Sequence, residues 1–339
     1  MGAGRVQTPP GLDKQEDGMS WEYEQLFDVP VTASQTDLTN WMDEDERKRL
    51  TNIRVGAMGY RTRTTVAGPR LEAEVYPIFG RSTEAMLRRA KKTNVTPEKV
   101  QRLNRERSIR HLVQLADTNF DERDIHLTLT YRKAPSYERA QKDMRNFCLR
   151  LKRAREKAGL PELKYIYTIE GSNDGTRERT HIHMLTNGDM DREEIERIWN
   201  KGFAYKYSEK NDRDWFDLHK TELPIKVGYA NADRLQPDEN GLEAIVRYLV
   251  KQQKNKRKWC ASRNLKQPKS RTSDSRCSRG QVKRIAFDMR NEAKAQMEKI
   301  YPGYQFVSCQ VRYSDIVDGA YIRCIMRRMP GRGKQNDRR

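Results

Sequence analysis

Two histidines separated by one residue, His181 and His183, follow a carboxylate, Glu170, with a short polar stretch between them. Side chains alternate faces along a strand. The imidazoles of His181-Ile-His183 therefore point one way, while Ile182 and Met184 point the other, into a core. Upstream, Tyr165-Ile-Tyr-Thr-Ile-Glu170 reads as a second strand. The stretch Gly171 to Thr180, rich in Gly, Asn, Asp and Ser, reads as a hairpin loop that folds Glu170 back beside the histidines. Two imidazoles and one carboxylate, with further positions open, suit a divalent cation that still accepts a phosphate oxygen. The competing reading is a chance His-x-His pair on an exposed strand face, which a short motif alone does not exclude.

A second chemistry-bearing residue lies on a predicted helix. Over Gly241 to Gln252, the residues Leu242, Ile245, Val246 and Leu249 form a core stripe; Tyr248 sits at its edge, with Lys251 and Gln252 one turn on. A tyrosine at such a boundary commonly packs its ring and leaves its hydroxyl in water, so a purely structural role stays open. Residues 251–280 then hold eleven Lys or Arg against the single Asp274. Within them, Arg257, Lys258, Arg263 and Lys266 surround Trp259. Cations that track phosphates around a ring that stacks on a base suit single-stranded nucleic acid, although a disordered basic linker has the same composition.

The elements that must position these groups belong to a chain long enough for one or two domains with proper cores, at 339 residues. Lys and Arg number 67 against 48 Asp and Glu, a net charge of +19. The first fifty residues run the other way, with eleven acidic and five basic, so the basic excess lies downstream. That asymmetry points to a polyanionic partner. Nucleic acid fits better than a membrane, because no basic amphipathic helix with a strong apolar face stands out. No apolar run of spanning length, secretion signal or myristoylation signal is recognised, and a cytoplasmic, soluble protein is expected. Cys148, Cys260, Cys277, Cys309 and Cys324 are scattered without Cys-x-x-Cys spacing and read as reduced thiols.

In order along the chain, residues 1–20 are too polar to bury and read as a disordered tail. Residues 21–107 read as an N-terminal extension. It contains a short helix at Asp43 to Leu50 and a hairpin over Gly59 to Pro77 that turns at Gly68-Pro69. A basic helix from Pro97, capped by Thr96, runs on to about Ala116. Ile125 to Tyr131 alternates as a half-buried strand. Ala140, Met144, Phe147, Leu151, Ala154 and Ala158 define a helix face ended by Gly159. After the two strands already described, Asp191 and Glu194 look like a capping box, and Lys201 to Tyr207 reads as a further strand. Strand, helix, strand, strand, helix, strand is the split βαββαβ order: an α+β antiparallel sheet with helices on one face. It carries N- and C-terminal β/α extensions. The domain spans 108–268 and includes a loop-rich stretch from Asn211 to Gln236 and the Tyr248 helix. Residues 269–339 read as a basic linker, a helix over Ile285 to Tyr301, strands over Gln305 to Val311 and Ala320 to Arg328, and a basic tail. A phosphate-cradling Gly-x-x-x-x-Gly-Lys-Ser/Thr loop is missing, so a helicase in the same chain is not expected.

Leu127-Thr-Leu-Thr-Tyr131, His181-Ile-His183 preceded by Glu170, and Tyr248-Leu-Val-Lys251 resemble, in order, the three motifs of rolling-circle replication initiators of the HUH endonuclease superfamily. Lys258 to Pro268 is similar to a stretch after the tyrosine helix in the bacterial phage and plasmid branch. The resemblance covers about Ser108 to Pro268. It implies that His181 and His183, with Glu170 as third ligand, hold Mg²⁺ or Mn²⁺, that Tyr248 is the nucleophile, and that Lys251 neutralises the attacked phosphate. It further implies nicking and strand transfer on a single-stranded DNA origin in the cytoplasm of a bacterial host, with host helicase and polymerase as partners. A transposase or relaxase would share the site. A non-catalytic nucleic-acid binder on the same sheet would need exposed aromatics on the middle strands. A histidine phosphoesterase would need two separated His motifs, where one is found.

Overall fold

The computed structural model describes residues 29–34, 58–80, 97–131, 134–171, 180–200, 227–250, 259–313 and 319–329. The predicted tail 1–20, the helix at Asp43 to Leu50, the strand at Lys201 to Tyr207 and the C-terminal basic tail lie outside them. The first elements are β1 (Val29–Ser34), β2 (Gly59–Ala67), β3 (Arg70–Ile78) and α1 (Pro97–Asn119). Next come β4 (Ile125–Thr130), α2 (Tyr137–Lys157), β5 (Tyr165–Glu170), β6 (His181–Thr186), α3 (Arg192–Trp199) and β7 (Ala230–Arg234). They are followed by α4 (Glu243–Val250), β8 (Cys260–Ala261), β9 (Lys269–Ser273), α5 (Arg279–Phe287), α6 (Asn291–Ile300), β10 (Tyr304–Tyr313) and β11 (Ala320–Arg328). The chain divides into two compact units, one of residues 1–108 with 268–339 and one of residues 109–267. Among the described residues, no helix is long and apolar enough to cross a membrane.

The first unit is a six-stranded antiparallel sheet in the order β1-β10-β11-β3-β2-β9. The β2–β3 hairpin turns at Gly68, whose φ of 59° is the left-handed conformation glycine adopts without strain. Val282, Ile285 and Ala286 of α5 and Ala293 and Met297 of α6 share a core with Ala73, Val75, Ile322 and Cys324 of the sheet. The stretch predicted as one helix over Ile285 to Tyr301 is two. The Asp288 carboxylate accepts the backbone N–H groups of Arg290 and Asn291, which stops α5 and starts α6.

The second unit holds the split βαββαβ arrangement. Its sheet runs β7-β4-β6-β5-β8, every pair antiparallel. α2 joins β4 to β5 with β6 inserted between them, and α3 joins β6 to β7. Ile125, Leu127, Leu129, Ile182 and Met184 pack beneath Met144, Phe147 and Leu151 of α2 and Ile195, Ile198 and Trp199 of α3. Each such aliphatic side chain contributes about 1.5–3 kcal/mol by leaving water. The opposite face is partly covered as well, because α1 and α4 pack over Ile166 and Leu185.

Local chemistry fixes the ends of these elements. The Ser136 hydroxyl accepts the Arg139 N–H at the start of α2, and Gly159, at φ 65°, follows its end. α3 departs from the capping box expected at its start. Asp191 makes no side-chain cap bond, and Glu194 is drawn instead into a paired contact with Arg197 at 2.5 and 2.6 Å. Arg155, 2% exposed, donates to the carbonyls of Pro161 and Asn187 and to the Asp189 carboxylate, tying the end of α2 to the segment leaving β6. One edge strand is β7, which enters beside β4 through Gly228. The Asn200 side-chain oxygen accepts the N–H groups of Val227 and Gly228, each at 3.2 Å. A Cβ at Gly228 would stand 1.8 Å from the Thr130 carbonyl oxygen. Gly228→Ala is therefore expected to cost roughly 1–3 kcal/mol by overpacking, read as a lower urea midpoint for the full chain; an unchanged midpoint would show that β7 gives way without penalty.

Candidate functional site

Strand register builds the site one rung at a time. Thr128 of β4 and Thr168 of β5 are both Cα partners of His183 on β6, and the next rung carries Thr130, Glu170 and His181. On the other side of His183 lies a rung of His126, Leu185 and Ile166. Side chains two residues apart share a face, so these nine residues line one side of the sheet. α1 and α4 cover its Ile166–Leu185 part. The polar rungs lie beyond that cover.

The helix bearing Tyr248 is held from its first turn. Gly241 has a φ of 76°, and the N–H of Leu242, an orphan donor at the helix start, is accepted by the buried Asp117 carboxylate of α1 at 3.0 Å. Leu242, Val246, Leu249 and Val250 bury against Ile109, Leu112 and other residues of α1. Tyr248 is left on the rim, 57% exposed. Its ring meets that of His183 edge-on, with centroids 5.2 Å apart and planes at 74°.

His183 is the centre of contacts. It is 4% exposed, its Nε2 stands 3.7 Å from Glu170 Oε2, and its Nδ1 is 3.4 Å from the Thr128 hydroxyl. The His126 ring stacks on it at 5.5 Å. Burial, reinforced by the neighbouring His126 and His181, pushes the His183 pKa down to about 4. His126 is lowered by burial too, against an opposing pull from Asp233. Two polar atoms on this face, Thr168 Oγ1 and His126 Nε2, are shielded from solvent without a hydrogen-bond partner. The result is a neutral imidazole with a carboxylate on one side and the ring of an exposed tyrosine edge-on to it.

Of the residues expected from sequence, Glu170, His181, His183 and Tyr248 come together here. They do not form a ready-made cage: among the described residues, no three His, Cys, Asp or Glu groups converge as a metal site. Lys251, Arg257 and Lys258 lie outside the described residues. Trp259 is half-buried against the α1–α4 core, its ring 6.2 Å from that of His111. Arg263 and Lys266 are exposed, and the Lys266 backbone is clamped by the Asn119 side chain through N–H and carbonyl at 2.8 Å each. Sequence reasoning gave no role to Thr128, Thr168 or His126. The alternation of Ile125 to Thr130 set His126 and Thr128 apart from the core, but only the register reveals that they flank His183.

The depressed His183 pKa has a testable consequence. An unfolded imidazole takes a proton near pH 6.5, whereas the folded one resists until about 4. The unfolded chain thus binds more protons in that window. Stability is complete above about pH 6.5 and falls, by on the order of 2–3 kcal/mol from this group, as the pH drops toward 4. Urea titrations in metal-free buffer at stepped pH are expected to give this slope, and His183→Asn is expected to flatten it; a slope equally steep in the variant would locate the effect elsewhere.

No curated protein and no solved structure matches the chain. The family model described as Replication-associated protein ORF2/G2P matches residues 124–253, from the start of β4 to just past α4. That span contains the βαββαβ sheet, the polar rungs and Tyr248. Over residues 124–253 the chain is similar to the Replication-associated protein ORF2/G2P family.

Proposed function

We propose that the chain nicks single-stranded DNA and transfers the strand through a phosphotyrosine, initiating rolling-circle replication of a phage or plasmid. The observation that carries this reading is the edge-on contact of the exposed Tyr248 ring with His183, itself 3.7 Å from Glu170. A tyrosine ring thus stands beside an imidazole that neighbours a carboxylate.

Chemically, the Tyr248 oxygen attacks a backbone phosphorus. A P–O bond to tyrosine forms, the bond to the 3′ oxygen breaks, the phenolic proton passes to water, and the released 3′ oxygen takes one up. The 5′ phosphate stays on Tyr248, and the 3′ hydroxyl is free to prime a polymerase. Because the ester is retained, attack by a 3′ hydroxyl reverses the step and joins strands. A phenol with a pKa near 10 is mostly protonated at neutral pH, so the reaction needs charge drawn from the phosphate.

Mg²⁺ or Mn²⁺ suits the donor set, and His181, His183 and Glu170 would hold it. Three features of the chain support that fit. His183 stays neutral down to about pH 4 and keeps its lone pair. The Thr128 hydroxyl lies at Nδ1, so accepting a proton there leaves Nε2, on the Glu170 side, free to ligate. Thr168 brings a buried hydroxyl without a partner to the same rung. When bound, a dication draws charge from a non-bridging phosphate oxygen and orients the scissile bond. Lys251 is proposed to add a positive charge beside that phosphate. The middle strands β4 and β6 turn histidines, threonines and Leu185 to this face, where an RNA-recognition sheet would display aromatics.

Tyr248→Phe is expected to leave single-strand binding intact and abolish the covalent adduct, assayed with Mn²⁺ and single-stranded origin fragments on a denaturing gel and by mass spectrometry. An adduct surviving in that variant would refute the nucleophile. Thr128→Val is expected to weaken Mn²⁺ binding by about tenfold in calorimetry, with Thr128→Ser restoring it; equal affinity in all three proteins would remove Thr128 from the ligand-orienting role.

A further inference from the structure

A run of cations lies in the first unit, from Lys269 to Arg284. β9 is an edge strand of the six-stranded sheet and is exposed along most of its length. A short turn leads from it to α5. The capping box of Ser278 and Gln281 fixes the start of that helix, and Val282, Ile285 and Ala286 bury one side of it. On the opposite side Arg279, Lys283, Arg284 and Phe287 are exposed, Phe287 by 60%. The first turn carries no acidic residue.

We propose that this strand–turn–helix, Lys269 to Phe287, is a contact surface for the phosphates of duplex DNA. The inference rests on the reading that the chain acts on DNA and adds a second surface with a different form of that partner. Three observations favour it. The one acid of the segment, Asp274, is neutralised by a paired contact with Arg61 at 2.6 and 2.7 Å. Lys269, Arg271 and Lys283 are exposed and have no acidic partner among the described residues. The segment is also an exposed edge strand joined to a helix whose buried side packs on the core. Single strands are bound in grooves lined by several stacking aromatics, whereas a projecting basic helix meets the regular phosphate rows of a duplex. Here the segment offers one exposed aromatic, Phe287.

The test uses the full chain carrying Tyr248→Phe, in EDTA, so that neither metal nor covalent chemistry contributes. Fluorescence anisotropy follows binding of a labelled duplex and a labelled single strand of the same length over a range of salt. Combining Lys269→Ala, Arg271→Ala and Lys283→Ala is expected to weaken duplex binding by roughly ten- to a hundredfold and lower its salt slope by about 3, leaving single-strand binding nearly unchanged. A control removes Lys142, Arg145 and Arg153, three exposed cations of α2, and is expected to change duplex binding little. Unchanged duplex binding in the first variant would overturn the proposal. So would an equal loss on the single strand, which would make the segment a single-strand groove, or an equal loss in the control, which would reduce it to general charge. Adduct formation by the triple variant in the Tyr248 background, with Mn²⁺ and a single-stranded substrate, separately tests the nicking reading.

Discussion

The site depends on strand register. Thr128, His183 and Thr168 are neighbours only because β4, β6 and β5 pair in one alignment, and a slip of one residue would turn all three into the α2–α3 core. That slip is prevented from the other face. Ile125, Leu127, Leu129, Ile182 and Met184 fill the space beneath α2 and α3, and the alternative alignment would bury histidine and threonine there. Hydrophobic packing on one side of the sheet thereby dictates the chemistry on the other.

Electrostatics follow from the same placement. Burial keeps His183 neutral, and Glu170 lies 3.7 Å from it, just beyond hydrogen-bonding range, at the less covered end of the face. A charged imidazole there would face His126 and His181 as well as the desolvation cost. A neutral imidazole is the form that binds a cation, so the burial that depresses basicity agrees with the proposed ligand role. The aromatic edge of Tyr248 closes this face without a competing charge.

Much of this was legible in the amino acids, and what was not has physical causes. β4, β5, β6 and α2 could be read because one face of each is buried, which imposes a period of two or of 3.6 on apolar residues. β7, Ala-Asn-Ala-Asp-Arg, buries only Ala232 and carries no such period. β8 is two residues long and is defined by its partner, Tyr167 and Ile166 of β5. The pairing of β9 with β2, and of β1 with β10, joins opposite ends of the chain, which no local pattern encodes. Capping misled in both directions. Asp191 has the right type but no cap bond, while the capping box at Ser278 went unread behind a basic stretch. The pairing of Glu170 with the histidines was visible from a hairpin, but the part played by Thr128 and Thr168 needed three strands aligned.

One more consequence lies in how the tyrosine helix is fastened. α4 begins on Asp117 of α1, and the chain beyond it returns as β8 to pair with β5, the strand that ends in Glu170. One flank is moored to α1 and the other to the sheet. Cargo esterified to the phenol would therefore drift on a short leash, at a local concentration far above that of any competitor in solution. In the proposed strand transfer, that would favour rejoining over loss of the held end.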